Sequence, residues 1–193
     1  MSQSVERGRV YRLEFDPIYQ SLALANPSLL LTPRLHFDST SKSAAWEPLD
    51  LLLVDTGKPQ PDFWQIAGLP VGFVCGEKVL NEIQTLENIS EALPMYLDDQ
   101  TLYFVHVNER GCWDALDVPH CVWPSGTLGK GVPSHYAFLP HRLSFTTIMS
   151  VPETCEHEVY VNSDCDDPAY EFKAEVERQE MTGLAFNEIW SER

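Results

Sequence analysis

The sequence predicts an α+β fold, with a mostly antiparallel sheet and two main helices, at about residues 76–87 and 168–181. Two patterns carry this prediction: several short segments are rich in β-branched and aromatic residues, and two longer segments place apolar residues at helical spacing. The order is roughly strands, helix, strands, helix and strand, rather than a regular alternation of strand and helix. Such an order is typical of an antiparallel sheet with segregated helices.

The chain is long enough to form a core of its own. It has 193 residues, of which 44% are hydrophobic, so we expect a single domain over residues 1–193, with residues 1–59 as a less regular N-terminal portion of strands and loops. The first residues are polar, and no apolar run approaches the roughly 18 residues that a membrane span needs. We therefore expect a cytoplasmic protein with reduced thiols.

Strands are predicted where apolar residues alternate with polar ones or form short runs between turns. RVYRLEF (9–15) and LDLLLVD (49–55) are the first two, with a mostly irregular, proline-containing segment between them. LYFVHVN (102–108) predicts a buried strand in which His106 is an ordinary strand residue.

The first helix is predicted from the spacing of its apolar side chains. In GEKVLNEIQTL (76–86), Val79, Leu80, Ile83 and Leu86 fall on one helical face, and the charged residues fall outside it. This pattern predicts an amphipathic helix.

The last third of the chain predicts a hairpin, a helix and a final strand. RLSFTTIMSV (142–151) and HEVYVN (157–162) are the two hairpin strands, and LAFNEIW (184–190) is the last strand. The helix between them is predicted to have Asp166 or Asp167 as its N-cap, Pro168 at its first position and Gly183 just past its end.

Charge is the strongest compositional feature. The chain has 29 acidic and 13 basic residues, a formal net charge of −16, and half of this charge (−8) lies in residues 152–180. Phosphate groups would be repelled, so the composition disfavours binding to nucleic acid or to an anionic membrane and favours a basic partner. An acidic run of this kind could also be a solvated face that keeps the protein soluble.

GCWDALD (111–117), followed by His120-Cys121, is the densest group of chemically capable side chains. The segment contains no CxxC, HxxxH or HExxH pair, so we expect no bound metal, even if these residues converge with Cys155, His157 and Cys165. Motifs for a nucleophile elbow or a phosphate-binding loop are also missing from the chain.

We therefore interpret GCWDALD mainly as a structural signature. Trp113 and Leu116 are expected to pack, and Asp114 and Asp117 to cap or hold the turn.

Several short motifs occur in the order and spacing of a known family. They are PDF (61–63), FVCGEKVLNEIQTL (73–86), LPMYL (93–97), LYFVHVNERGCWDALD (102–117), HRLSF (141–145) and the closing VYVNSD…YEFKAEVERQEMTGLAFNEIW (159–190). This set resembles the bacterial immunity protein eleven family over about residues 60–190. Asn108 and residues 113–117 match the middle of the family pattern, and residues 172–190, with Gly183, match its end. The chain departs from the pattern where Cys75-Gly76 replaces the usual serine before the first helix.

The resemblance implies a role in binding rather than in catalysis. Such proteins are encoded beside polymorphic toxins, often nucleases delivered between bacteria, and are taken to protect the producing cell by binding the cognate toxin domain. The family implies no catalytic residues, and we expect no cofactor. A nuclease must present cations to phosphates, so clustered carboxylates are suited to occupy that surface.

Under this hypothesis the acidic segment 152–180 is the candidate toxin-facing surface. Its candidate contacts are Glu153, Glu156, Glu158, Asp164, Asp166, Asp167, Glu171 and Glu175. Trp123, Tyr136 and Trp190 are candidate aromatic anchors, although each of them also suits the core.

Two alternatives from other classes stay open at this point. One is an acidic adaptor for a basic partner unrelated to toxins. The other is a small enzyme that uses the cluster Cys112, Asp114, Asp117, His120 and Cys121.

Overall fold

The computed structural model describes residues 8–32, 35, 37, 40–69, 72–87, 90–107, 115–124, 131–143, 147–151, 154, 158–163 and 171–192. Within these residues the chain forms ten strands in two sheets and three helices, an α+β fold dominated by antiparallel sheet, as predicted. The strands are β1 (Arg9–Phe15), β2 (Ser21–Leu24), β3 (Leu49–Val54), β4 (Phe63–Trp64), β5 (Phe73–Cys75), β6 (Ser90–Leu97), β7 (Gln100–Val107), β8 (Ile148–Ser150), β9 (Val159–Ser163) and β10 (Leu184–Ser191). The helices are α1 (Glu77–Glu82), α2 (Pro140–Leu143) and α3 (Phe172–Arg178). None of the helices in these residues has the length and apolarity needed to cross a bilayer.

The four-stranded sheet joins the two ends of the chain. Its order is β10-β1-β9-β8, and all its pairs are antiparallel. β8 and β9 pair as the predicted hairpin, with Ile148 opposite Val161. The predicted strand 142–151 is wrong at its start, because Arg142 and Leu143 belong to α2.

The six-stranded sheet curls around a core of its own. Its order is β2-β3-β6-β7-β5-β4, and only the β3–β6 pair is parallel. Leu22 of β2 forms a parallel bridge to Ile66, so β2 is hydrogen-bonded to the segment that directly follows β4, the last strand in this order. The enclosed side chains alternate along each strand, and their core is completed by apolar residues of segment 27–46.

Only part of the outer face of the curled sheet is covered. Phe63, Phe73 and Val105 of β4, β5 and β7 point outward and pack against the four-stranded sheet, α1 and α3. The far face of the four-stranded sheet is covered by residues of segment 115–143. The outward face of β2, β3 and β6 has no such cover among the described residues.

The first helix is shorter than predicted. α1 ends at Glu82, and Ile83 adopts an extended conformation before a 3-10 turn at Gln84–Leu86. Val79, Ile83 and Leu86 are nevertheless buried in one core cluster, as their spacing predicts. Gly76 occupies the N-cap, which therefore lacks a side-chain hydrogen bond.

The helix predicted at 168–181 begins later and ends differently. α3 starts at Phe172 with Glu171 as an extended N-cap residue, so the predicted start at Pro168 is wrong; Asp166, Asp167 and Pro168 lie outside the described residues. At the other end, Glu180 has a φ of 51°, and the N–H of Met181 donates to the carbonyl of Val176. This is a left-handed helix cap formed by Glu180, and not by Gly183.

Gly183 instead allows a close contact between two distant segments. Its φ is +102°, and a Cβ there would lie 2.1 Å from the carbonyl oxygen of Phe63. The carboxylate of Asp62 accepts hydrogen bonds from the N–H and hydroxyl of Thr182 at 2.9 and 2.8 Å. The N–H of Phe63 donates to the carbonyl of Thr182 at 3.0 Å. Glycine is therefore required at position 183, where the chain passes close to β4 of the other sheet just before β10 begins.

Candidate partner-binding surface

The acidic segment 152–180 does not form one open acidic surface in the described residues. Glu158, Glu171 and Glu175 expose only 8%, 8% and 1% of their area. For these three residues the expectation of an exposed surface is wrong. The other candidate contacts, Glu153, Glu156, Asp164, Asp166 and Asp167, lie outside the described residues.

Glu158 binds two tyrosines and an arginine. Its Oε2 accepts hydrogen bonds from the hydroxyls of Tyr136 and Tyr160 at 2.8 and 2.7 Å, and its Oε1 lies 3.2 Å from Nη1 of Arg12. Burial, together with the Glu158 carboxylate, raises the pKa of both tyrosines above the ordinary value. The hydroxyls therefore stay protonated and donate to the carboxylate. Glu158 is a buried acceptor that joins β9 to segment 131–143.

Glu175 and Glu171 hold α3 in place. The N–H and hydroxyl of Thr85 donate to Oε2 of Glu175 at 3.0 and 2.7 Å, which ties α3 to the turn after α1. The hydroxyl of Ser163, at the end of β9, donates to Oε2 of Glu171 at 3.0 Å. These carboxylates are hydrogen-bonded inside the fold, as buried charges must be.

The described residues of GCWDALD, 115–117, and the following His120-Cys121 make contacts within the fold. Leu116 is buried, as expected. The side chain of Asp117 does not cap the following 3-10 turn; its Oδ2 accepts a hydrogen bond from Nδ1 of the exposed His120 at 2.8 Å. Cys121 is buried, and the N–H of Ala137 donates to its Sγ at 3.3 Å. Asn108, Cys112, Trp113 and Asp114 lie outside the described residues.

Thiols and metal ligands do not converge within the part of the chain that the structure describes. No group of three or more His, Cys, Asp or Glu side chains there is placed to hold a metal ion. Cys155, His157 and Cys165 lie outside that part. Burial raises the pKa of the Cys75 thiol to about 12, which suppresses the reactive thiolate at neutral pH.

The three candidate aromatic anchors belong to the core between the four-stranded sheet and segment 115–143. Tyr136 is buried, whereas Trp123 and Trp190 are half-buried beside it. The Trp123 Nε1–H donates to the carbonyl of Val118 at 3.1 Å, and the ring of Trp190 meets that of Phe138 edge-on. Tyr136 is therefore a core residue.

Sequence reasoning missed a pair formed by the buried His106 and the largely buried Glu91. Nδ1 of His106 donates to Oε1 of Glu91 at 2.8 Å, and the N–H groups of Lys42 and Ser43 and the hydroxyl of Ser41 also donate to this carboxylate. Burial favours a higher pKa for Glu91, but these hydrogen bonds outweigh it and lower the pKa. The pair fastens segment 41–43 to the curled sheet, and His106 is more than an ordinary strand residue.

Exposed charge in the described residues is strongly negative. Only four basic side chains are exposed, namely Arg9, Lys78, Arg142 and Arg178. The exposed acidic side chains number eleven: Glu47, Asp50, Asp55, Glu77, Glu87, Asp98, Asp99, Glu177, Glu180, Glu188 and Glu192. Several of these acids lie beside the uncovered outer face of the curled sheet.

That face combines apolar side chains with acids. Leu52, Val54 and Tyr96 expose 55%, 38% and 43% of their area. Asp50, Leu52 and Val54 alternate on one side of β3, and Asp50 pairs with Tyr96 of β6. Two residues after Tyr96, the turn Asp98-Asp99 joins β6 to β7. We call these six residues the open sheet face.

Comparison of the chain with models of protein families, with curated proteins and with solved structures finds no match. The resemblance drawn from the order of the motifs therefore remains an expectation.

Proposed function

We propose that this protein is an immunity protein, which binds a cognate bacterial toxin domain in the cytoplasm of the producing cell and neutralises it without catalysis. The observation that carries the proposal is the imbalance of exposed charge, with eleven acidic against four basic side chains in the described residues. The motif order that resembles the immunity protein eleven family supports the same role.

The charge imbalance suits capture of a basic partner. A toxin that cleaves nucleic acid needs cationic side chains, and complementary fields raise association rates roughly 10- to 1000-fold at low salt. Fast association is what a cell needs when a toxin arrives. Because Glu91, Glu158, Glu171 and Glu175 accept hydrogen bonds within the fold, the exposed acids are the ones that a partner can reach.

The direct experiment is co-expression with the C-terminal domain of the toxin encoded beside the gene. We expect the protein to restore growth of cells that produce this domain and to co-purify with it. Failure to restore growth, or restored growth without a complex, would overturn the proposal.

A variant of the candidate catalytic cluster separates binding from an enzymatic role. It carries the substitutions Cys112→Ser, Asp114→Asn, Asp117→Asn, His120→Gln and Cys121→Ser. If protection rests on binding alone, the folded variant protects as well as the unchanged protein. Loss of protection with the complex still formed would instead favour an enzyme that uses this cluster.

A further inference from the structure

We infer that the open sheet face (Asp50, Leu52, Val54, Tyr96, Asp98 and Asp99) is the docking surface for a basic protein partner that has an apolar centre. The inference rests on the proposed function, and it replaces the acidic segment 152–180 as the location of the interface. Its basis is the geometry of the curled sheet, which leaves one part of its outer face uncovered in the described residues.

The face extends over paired residues of four strands, β2, β3, β6 and β7. Leu52 of β3 lies opposite Ala23 of β2, and Val54 lies opposite Ser21, so the side chains at this edge are small. Tyr96 of β6 lies opposite Thr101 of β7. Side chains that pair across strands share one face, and these therefore form a single surface.

Burial distinguishes this surface from the covered part of the same face. Phe73 and Val105, which point the same way further along the sheet, are fully buried against the second sheet and the helices. Leu52 and Tyr96 are about half exposed. Large apolar side chains grouped on one exposed face are typical of an interaction site, whereas single ones need no explanation. Tyr96 is of the residue type that most often anchors an interface.

The charges around the apolar centre select the partner. Asp50 lies level with Tyr96. Asp98 and Asp99 form the turn that directly follows β6. Lys58, which follows β3 in the sequence, is paired with Asp55 at 2.9 Å. An apolar centre with an acidic rim complements an apolar patch ringed by lysine and arginine.

A second copy of the chain fits this face less well. Each copy carries a net charge of −16, and a symmetric contact through the face would bring the aspartates of both copies together. Like charges brought together across an interface are unfavourable. The charge therefore favours a basic partner over self-association.

Two variants test the surface against the purified C-terminal toxin domain encoded beside the gene. The first removes the apolar centre, by Leu52→Ser with Tyr96→Ser, and we expect Kd to rise at least about tenfold. Its control, Leu31→Ser with Val122→Ser, changes two apolar side chains that are 90% and 53% exposed elsewhere. We expect this control to change Kd less than about twofold.

The second variant removes the acidic rim, by Asp50→Asn, Asp98→Asn and Asp99→Asn. We expect the association rate at low salt to fall about tenfold, with a smaller change in the dissociation rate. Its control, Glu177→Gln, Glu180→Gln and Glu188→Gln, makes the same change in net charge at exposed positions away from the face. Circular dichroism and thermal unfolding establish that all four proteins are folded.

The possible results of these measurements distinguish failure of the proposed docking surface from failure of the proposed function. If the unchanged protein binds and both variants behave as their controls do, the surface is overturned and the proposed function stands. If the unchanged protein does not bind the toxin domain, the function is overturned and the surface with it. A dimer of the unchanged protein that the first variant abolishes in sedimentation analysis would overturn the choice of partner.

Discussion

At the scale of single residues, buried and largely buried carboxylates stabilise this acidic protein from within. Glu91, Glu158, Glu171 and Glu175 all accept hydrogen bonds from residues on other segments. Their partners lie up to 146 residues away in the sequence, as Arg12 does from Glu158. Local sequence patterns carry no information on such contacts, which is why segment 152–180 looked like a uniformly exposed acidic surface.

Glu175→Ala should lower the free energy of unfolding by about 2 to 4 kcal/mol, because the N–H and hydroxyl of Thr85 lose their acceptor in a buried site. Glu177→Ala, at an exposed position of the same helix, should change it by less than about 0.5 kcal/mol. Urea unfolding of both variants checks the difference. Equal effects would contradict the role given to Glu175.

Glu91→Gln should destabilise the protein in a pH-dependent way. The pKa of Glu91 is lower in the fold than its unfolded value of about 4.3, so the ionised carboxylate stabilises the fold above that pH. This stabilisation is lost as the pH falls through the folded pKa.

The loss in unfolding free energy caused by Glu91→Gln should therefore be largest near neutral pH and shrink towards pH 3. Urea unfolding between pH 3 and pH 7 measures it, with the exposed Glu87→Gln as the control. A loss that is the same at every pH would refute the assignment.

At the scale of elements, strong period-two and helical patterns were predictable and weak ones were not. β1, β7, β9 and β10 follow their patterns, and β3 was predicted from its short apolar run. β6 was missed as a strand because Pro94 interrupts it, although Leu93, Met95 and Leu97 alternate with outward residues. In β3, Leu52 and Val54 hide the alternation, since the outward positions are also apolar.

The apolar residues at the outward positions of β3 are themselves a sign of the candidate surface. A strand with apolar residues on both faces is ordinarily buried on both faces, yet the outer face of β3 is exposed. The fold was needed to show this, because covered and uncovered parts of one sheet face look alike in sequence.

Gly183→Ala should destabilise the protein by at least about 2 kcal/mol, because the new Cβ would meet the Phe63 carbonyl at a backbone angle that alanine rarely adopts. Gly57→Ala is the matched control, since a Cβ at Gly57 meets nothing within 4 Å. Thermal unfolding of the two variants provides the measurement. A similar midpoint for both would show that the contact between β10 and β4 is not tightly constrained.

At the scale of the whole molecule, the composition predicts a strongly negative protein. The exposed charged side chains of the described residues are mostly acidic, in agreement with that prediction. The composition alone does not show which part of the surface uses this charge to bind a partner. The curled sheet supplies that information, because it sets aspartates beside an uncovered apolar face. We propose that charge steers a basic toxin domain and that the apolar centre holds it.

The most direct test of this account is the rate at which the unchanged protein associates with the C-terminal toxin domain, measured by stopped-flow fluorescence from low to high salt. The account predicts tight binding, with an association rate that falls by at least about tenfold as salt screens the exposed acids, and a dissociation rate that changes little. Absence of binding, or an association rate that is independent of salt, would contradict it.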